Sequence, residues 1–219
     1  DDFARSCMIA CSAGWDTDCN SGNVGCLNGI RLGLSGFGKG ADIRKPVADR
    51  LYVVTSDSGE TISDAVLETR KIVRAAAALE GEMIKIPKER YAFEYPGSVQ
   101  GIMLFDCNVE EQVLSGIENT YEKTGEYGCR ISYTGLGKGV HASCCVDTFI
   151  DLKPKGKEGT SYFDVLCSPT LYSGQEVRAA VRASDRQNPQ FQFFIQYFDE
   201  EGKLALRYGE KVTLTEGDN

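Results

Sequence analysis

The pattern of apolar and polar positions predicts helices in the first 82 residues. Phe3, Cys7 and Cys11 recur at every fourth position, which predicts a short amphipathic helix ending before Gly14. A second helix is predicted from about Asn20 to Phe37, where Val24, Leu27, Ile30 and Leu34 keep helical spacing. A third and longer apolar repeat follows these two segments within the first 82 residues.

The third repeat predicts the clearest helix of the chain. Its apolar positions follow the helical period and are Ile62, Ala65, Val66, Ile72, Val73, Ala76 and Leu79. Thr61 with Asp64 resembles a capping box, which marks a helix start. Gly81 fits the C-terminal stop, since glycine adopts the left-handed conformation that ends many helices.

After residue 82 the pattern changes to short alternating runs between turns. Only four of the 21 aromatic residues precede this point, and aromatic enrichment favours strands. The predicted strands are Ile102–Cys107, Cys129–Tyr133, Ser143–Ile150, Tyr162–Cys167, Glu176–Ala183, Phe191–Phe198, Leu204–Tyr208 and Lys211–Leu214. We therefore expect an α+β protein with a helical region at 1–82 and an antiparallel β-sandwich or jelly roll at 83–219.

Five glycines interrupt the second predicted helix at regular intervals. Gly22, Gly25, Gly29, Gly33 and Gly36 are spaced 3, 4, 4 and 3 residues apart, which places them on one side of a helix. Each glycine costs about 1 kcal/mol in a helix interior, so a steric reason is expected. Without side chains, another backbone or a ligand can approach closely. We expect this side to be poorly covered by the chain itself; a loop in place of the helix is the alternative.

Charge and cysteine content narrow the classes of function. The 219 residues carry 24 basic and 32 acidic side chains, a net charge of −8, which disfavours nucleic acid as a partner. No apolar run reaches the ~20 residues of a membrane-spanning helix. The nine cysteines include no Cys-x-x-Cys, so reduced, mostly buried thiols in a cytoplasmic protein are expected. A processed, secreted form is the alternative.

The segment between the first two predicted helices carries candidate metal chemistry. Asp16 and Asp18 are two positions apart, so both carboxylates can point at one hard cation such as Mg²⁺. A helix opens at Cys19 or Asn20, and its free N–H groups favour a phosphate beside the ion. The alternative is that Asp18 only caps the helix while Asp16 is solvated.

Two stretches resemble the C-terminal signature of the ADP-ribosylglycohydrolase family. The first is SAGWDTDCNSGNVG at residues 12–25, where a Gly-x-Asp-x-Asp-Thr/Cys-Asn segment precedes a helix rich in small residues. The second is ADIRKPVADRL at residues 41–51, which resembles a bacterial branch carrying a β-sandwich after the helical domain. The resemblance covers about residues 1–80 well and the sandwich more loosely.

The resemblance implies a hydrolase that cleaves glycosidic bonds to ADP-ribose with two Mg²⁺ ions. On that basis Asp16 and Asp18 match metal-binding aspartates of the family, and Cys19 occupies the position of a metal-binding threonine. Trp15 and Asn20 are expected near the substrate. A thiol is a poor ligand for magnesium, so one metal position is expected to be incomplete or filled by water.

The resemblance also implies residues that this sequence lacks. The family's Thr-Asp-Asp segment occurs nowhere in the 219 residues, and nothing in residues 1–15 supplies the family's acidic residue near the N-terminus, so the catalytic residues are expected upstream. We expect the C-terminal portion of such an enzyme, inactive alone and partnered by an upstream helical part or a second copy. The alternative is a non-catalytic β-sandwich that binds carbohydrate or protein and is braced by the helices; a purely structural role is the third possibility.

Overall fold

The computed structural model describes residues 2–38, 40–53, 60–105, 113–149, 169–184 and 188–215. The chain divides into two compact units, Asp1–Leu171 and Tyr172–Asn219. The predicted domain boundary after residue 82 stays a prediction. No helix within the described ranges has the length and apolar character needed to cross a membrane.

The described helices are α1 (Phe3–Ser12), α2 (Thr17–Leu32), α3 (Ala65–Leu79) and the single turn α4 (Tyr121–Thr124). The prediction for α1 is confirmed. The second helix begins three residues earlier than predicted and ends at Leu32, because Gly33 adopts a φ of 63° that breaks the helical path. A 3₁₀ helix, Leu34–Gly38, follows.

Helices α1 and α2 pack against each other as an antiparallel hairpin. Phe3 and Cys7 of α1 are buried, and Phe3 also contacts the ring of Phe37 at 4.3 Å between centroids. A Cβ placed at Gly25 would lie 3.6 Å from the sulfur of Cys7, whereas one at Gly29 would meet nothing within 4 Å. Helix α2 contains no buried residue, and the expectation that its glycine side is poorly covered is confirmed at Gly22 and Gly29 but wrong at Gly25, which packs against α1.

Helix α3 starts and stops through recognisable caps. Asp64 is the N-cap, and its side chain accepts the backbone N–H of Leu67 at 2.9 Å. The predicted Thr61–Asp64 capping box is therefore wrong, since Ile62–Asp64 forms a strand before the helix begins. At the other end Gly81 has a φ of 72°, and the N–H of Glu82 bonds to the carbonyl of Ala77 in a Schellman arrangement, which confirms Gly81 as the predicted C-terminal stop.

The described strands form five two-stranded antiparallel sheets, which makes the protein α+β. The strands are β1 (Arg50–Tyr52), β2 (Ile62–Asp64), β3 (Met103–Leu104), β4 (Leu114–Asn119), β5 (Cys129–Tyr133), β6 (Cys144–Cys145), β7 (Gln190–Phe191), β8 (Phe194–Phe198), β9 (Leu204–Tyr208) and β10 (Val212–Thr213). The pairs are β1–β2, β3–β6, β4–β5, β7–β10 and β8–β9. Within the described ranges, no sheet has more than two strands.

The strand predictions differ in their outcome. Cys129–Tyr133 and Leu204–Tyr208 are confirmed with the predicted bounds. The strand predicted at Glu176–Ala183 is wrong, because these residues are largely exposed and only Ala183 makes a bridge. Ile102–Cys107, Ser143–Ile150, Phe191–Phe198 and Lys211–Leu214 contain shorter strands where they are described, and Tyr162–Cys167 lies outside the described residues.

The interior of the first unit is unusually polar. Its most fully buried large side chains are Gln100, Thr61, Asp64 and Ser98. The amide nitrogen of Asn119 donates to the carbonyls of Phe93, Tyr95 and Ser98, and the buried Arg70 forms a bidentate pair with Glu94, both bonds 2.7 Å long. Residues on both sides of position 82 thus share one hydrogen-bond network.

The seven cysteines that the structure describes are free, but they are not mostly buried as expected. Cys7 is buried, and Cys129, Cys144 and Cys145 are half-buried. Cys11, Cys19 and Cys26 are exposed, so the expectation of mostly buried thiols is wrong for these three. Burial raises the pKa of Cys129 to about 12 and that of Cys145 to about 11. These two thiols are inert at neutral pH.

Candidate metal centre

The turn between α1 and α2 is shaped by two residues with positive φ. Gly14 has a φ of 85° and Trp15 a φ of 60°, a conformation that is uncommon for a bulky residue. The carbonyl of Trp15 accepts the N–H of Thr17 at 2.7 Å, which closes the turn before α2 starts. The indole of Trp15 is consequently fully exposed.

Asp16 occupies the N-cap position of α2 without capping it. Its side chain makes no capping hydrogen bond, although its carbonyl accepts the N–H of Asn20 at 3.2 Å. Asp18 lies in the first turn of the helix, and its carboxylate accepts the N–H of Cys19 at 2.9 Å. Both carboxylates thus lie beside a helix N-terminus, where negative charge is stabilised.

The structure brings the predicted ligands Asp16, Asp18 and Cys19 together. Their ligand atoms, a carboxylate oxygen from each aspartate and the sulfur of Cys19, all lie within 4.8 Å of one another. All three residues are exposed. This spacing allows one small cation to contact more than one of the groups, and exposed acidic groups also cluster without an ion.

Hydrogen bonding sets the protonation of this cluster. The pKa of Asp18 is lowered, first by the backbone N–H of Cys19 and then by a hydrogen bond with Asp16. The pKa of the Cys19 thiol is raised, first by its hydrogen bond to Asp16 and then by the negative charges of both aspartates. Near neutral pH, Asp18 is therefore ionised and Cys19 is a thiol that donates to a carboxylate.

This donor set fits magnesium in part. The two carboxylates are hard oxygen ligands of the type that Mg²⁺ prefers, and solvent access allows waters to complete the usual six positions. The protonated thiol of Cys19 does not fit, because soft sulfur ligands select other metals and bind as thiolates. Asp16 and Asp18 would hold the ion, with water in place of Cys19.

The two residues expected near the substrate lie on either side of the cluster. Trp15 precedes it in the turn, with a fully exposed indole. Asn20 follows it in the first turns of α2 and is exposed. Both therefore border the same exposed end of the α1–α2 hairpin.

A contact that the sequence patterns did not indicate braces this end of the hairpin. The sulfur of Cys11 and the hydroxyl oxygen of Ser21 lie 3.0 Å apart, which joins the end of α1 to the start of α2. The hydroxyl of Ser21 also hydrogen-bonds to the carbonyl of Thr17. Ser21 lies one helical turn after Thr17, and this spacing is the only signal in the sequence for the bond from the Ser21 hydroxyl to the Thr17 carbonyl. The sequence carries no signal for the contact between Ser21 and Cys11.

Comparisons of the chain with protein-family models, with curated proteins and with solved structures found no match.

Proposed function

We propose that this chain provides part of the metal site of a Mg²⁺-dependent hydrolase similar to ADP-ribosylglycohydrolases, which cleave glycosidic bonds to ADP-ribose. The observation that carries the proposal is the convergence of Asp16, Asp18 and Cys19 within 4.8 Å at the start of α2. The resemblance of residues 12–25 and 41–51 to that family supplies the substrate class. In the same proposal the protein is cytoplasmic, and the free thiols of the described cysteines support that placement.

Each group at the turn has a defined role in the proposal. A bound Mg²⁺ supplies charge neutralisation and a more acidic water. Asp16 and Asp18 orient the ion, and Asp18 remains ionised because its pKa is lowered. The partial positive charge at the N-terminus of α2 favours an anionic substrate group such as a phosphate. The exposed indole of Trp15 offers a flat surface for stacking of the substrate.

A complete site needs ligands that these 219 residues lack. Two carboxylates fill a minority of the about six positions around Mg²⁺, and the sequence contains no Thr-Asp-Asp segment. We propose that an upstream helical part or a second copy supplies the others. The space beside Gly22 and Gly29 of α2 supports this, since a Cβ at either position would meet no atom within 4 Å.

Terbium luminescence tests the metal site. Tb³⁺ binds oxygen ligands, and Trp15 is the only tryptophan of the chain, so selective excitation of its indole reports an ion bound next to it. We expect saturable luminescence that excess Mg²⁺ reduces. Asp16→Asn and Asp18→Asn should each weaken Tb³⁺ binding by about tenfold or more, since each removes a charged ligand.

Glu210→Gln is the matched control, because it changes the net charge equally at an exposed residue of the second unit. Its Tb³⁺ titration should match that of the wild type. Luminescence that is unchanged in both aspartate variants, or reduced equally in all three, would contradict the proposed site.

The second unit supports a different candidate function, a binding module for carbohydrate or protein. In this alternative, residues 83–219 form the predicted β-sandwich. The favouring observation is that the β8–β9 hairpin exposes aromatic rings, with Tyr197 and Tyr208 44% and 52% accessible. Exposed tyrosines are common contact residues at binding surfaces. Saturable oligosaccharide binding that Tyr197→Ala abolishes and Thr213→Ala preserves would favour this function.

A further inference from the structure

The β8–β9 hairpin of the second unit exposes apolar side chains. Among the described residues of this unit, Leu214 is the only buried apolar side chain. Ile195, Tyr197 and Phe198 of β8 are 49%, 44% and 45% exposed. Within the described ranges, β8 pairs with β9 and with no other strand. Because a two-stranded hairpin is at best marginally stable by itself, a further strand beside it would stabilise it.

The hydrogen-bond pattern of the hairpin shows which backbone groups face outward. The N–H of Asp199 donates to the carbonyl of Lys203 at 2.9 Å, so these opposed residues form a hydrogen-bonded pair. Along an antiparallel ladder, hydrogen-bonded pairs alternate with non-hydrogen-bonded ones. Gln196 lies three positions before Asp199 and opposite Leu206, so this pair is non-hydrogen-bonded. The backbone N–H and C=O of Gln196 therefore point to the outer edge of β8, and those of Leu206 point to the outer edge of β9.

The outer edge of β8 lacks the charges that protect most edge strands. No Asp, Glu, Lys or Arg occurs between residues 188 and 198, although 26% of the chain is charged. Two copies of a chain with a net charge of −8 repel each other, so a neutral strand is where they approach at the least electrostatic cost. The β9 edge, in contrast, carries Arg207 and follows Lys203, and such cations discourage edge pairing.

We propose that two copies of this chain associate through the outer edges of β8, antiparallel and with the two-fold axis at Gln196. The N–H of each Gln196 donates to the carbonyl of Gln196 in the second copy. Ile195 lies opposite Tyr197 of the second copy, so exposed apolar side chains cover each other on both sides of the axis. The strand order becomes β9–β8–β8–β9.

This arrangement limits the assembly to two copies. The outer edges of the four-stranded sheet are the two β9 strands, which carry Arg207, and a two-fold interface uses the same surface of both copies. The β8 edge belongs to the second unit and contains no residue of the proposed metal site. The proposal therefore goes beyond the proposed function and does not depend on it.

Sedimentation velocity of the full chain at increasing concentration, with a reducing agent and EDTA, tests the proposal. The two additives exclude dimers that are held by disulfides or by metal ions. We expect a reversible monomer–dimer equilibrium with a dissociation constant of about 10–100 μM, since one pair of strand edges makes a small interface. Gln196→Pro removes the outward N–H at the axis and should weaken association by about tenfold or more.

Leu206→Pro is the matched control, because it makes the same change at the directly opposed residue on the β9 edge. Both variants keep the hydrogen bonds between β8 and β9, since each replaced N–H points outward. Leu206→Pro should therefore associate as the wild type does. Equal weakening in both proline variants, or no weakening in Gln196→Pro, would overturn the proposal.

A charge exchange at Gln196 tests the two-fold axis itself. Gln196→Lys and Gln196→Glu each place like charges opposite each other, so each variant alone should associate about tenfold more weakly than the wild type. An equimolar mixture of the two should recover association, because opposite charges then meet across the axis, and a hairpin that fails to fold is not rescued by mixing. A mixture that associates no more tightly than its components, or a wild type that stays monomeric up to about 1 mM, would overturn the proposal.

Discussion

Replacement of Asp64 by alanine should destabilise the protein more than any comparable change at an exposed aspartate. Asp64 is fully buried, and its two carboxylate oxygens have different partners. One accepts the N–H of Leu67 as the N-cap of α3, and the other forms an ion pair with Arg90. A single substitution therefore removes both a helix cap and a buried charge-assisted bond.

The magnitude follows from these two contacts. Loss of an N-cap costs about 1 kcal/mol. Loss of a hydrogen bond between charged groups costs about 1.5–3 kcal/mol, and the lower part of this range applies because Arg90 is partly exposed and can be rehydrated. We expect Asp64→Ala to lower the free energy of unfolding by about 3 kcal/mol, a large share of the 5–15 kcal/mol typical of a domain.

Urea unfolding followed by circular dichroism measures this effect. Asp64→Asn should recover about 1 kcal/mol, since asparagine caps helices as well as aspartate does. Asp42→Ala is the control, because Asp42 also accepts backbone N–H groups, those of Arg44 and Lys45, but is exposed. Equal shifts of the urea midpoint in Asp64→Ala and Asp42→Ala would contradict the claim that the buried contacts of Asp64 stabilise the fold by more than an exposed helix or turn cap.

Three further predictions concern the glycines, the thiols and the metal turn. Gly29→Ala should stabilise α2 by about 0.5–1 kcal/mol, since nothing lies within 4 Å of the added Cβ; a lower melting temperature would contradict this. Burial raises the pKa of Cys129 and Cys145, so both thiols stay protonated to higher pH in the folded state than in the unfolded chain. The urea midpoint should therefore fall as the pH rises above about 9. A midpoint that stays constant would refute this prediction. Because the pKa of Asp18 is lowered, Tb³⁺ binding should persist throughout the pH range in which an ordinary aspartate is ionised; loss near pH 6 would contradict the assignment.

Local signals predicted the elements whose stability is local. Helix α1 and the glycine stop of α3 follow from spacing and from the conformational freedom of Gly81. The alternation of apolar and polar residues predicts β5 and β9, and each of these strands pairs with the strand that precedes it in the chain, β5 with β4 and β9 with β8. In these places the sequence pattern and the final contacts favour the same structure.

Elements that depend on distant contacts were not predictable from such signals. The sequence pattern places β2 in a helix because Ile62 also fits the helical repeat of α3, and only the pairing of β2 with β1 selects the strand. Strand β4 was missed because Gly116 interrupts its alternation at a register shift. The segment 176–183 alternates like a strand but remains exposed, since the pattern alone supplies no partner.

The candidate metal centre was predictable only in part, for a similar reason. The proximity of Asp16, Asp18 and Cys19 follows from their adjacency at a turn that leads into a helix. The hydrogen bond that keeps Cys19 protonated depends on the side-chain geometry of the turn, which spacing does not determine. The sequence also does not indicate a cleft lined by Asp2, Arg5, Ser6, Ile9, Asn28 and Arg31, because these residues belong to α1 and α2 and meet only after the two helices pack.

The most direct test of the proposed function is residue-resolved NMR of the chain titrated with Mn²⁺. A paramagnetic ion broadens the signals of nearby nuclei, so the ion is located without reference to any variant. We expect the indole N–H of Trp15 and the amides of residues 16–20 to broaden first, and Mg²⁺ to reverse the effect. We expect the binding to be weak, with a dissociation constant of about 1 mM or above. Broadening that starts elsewhere, as at Glu200 and Glu201, or that Asp16→Asn leaves unchanged, would contradict the central claim.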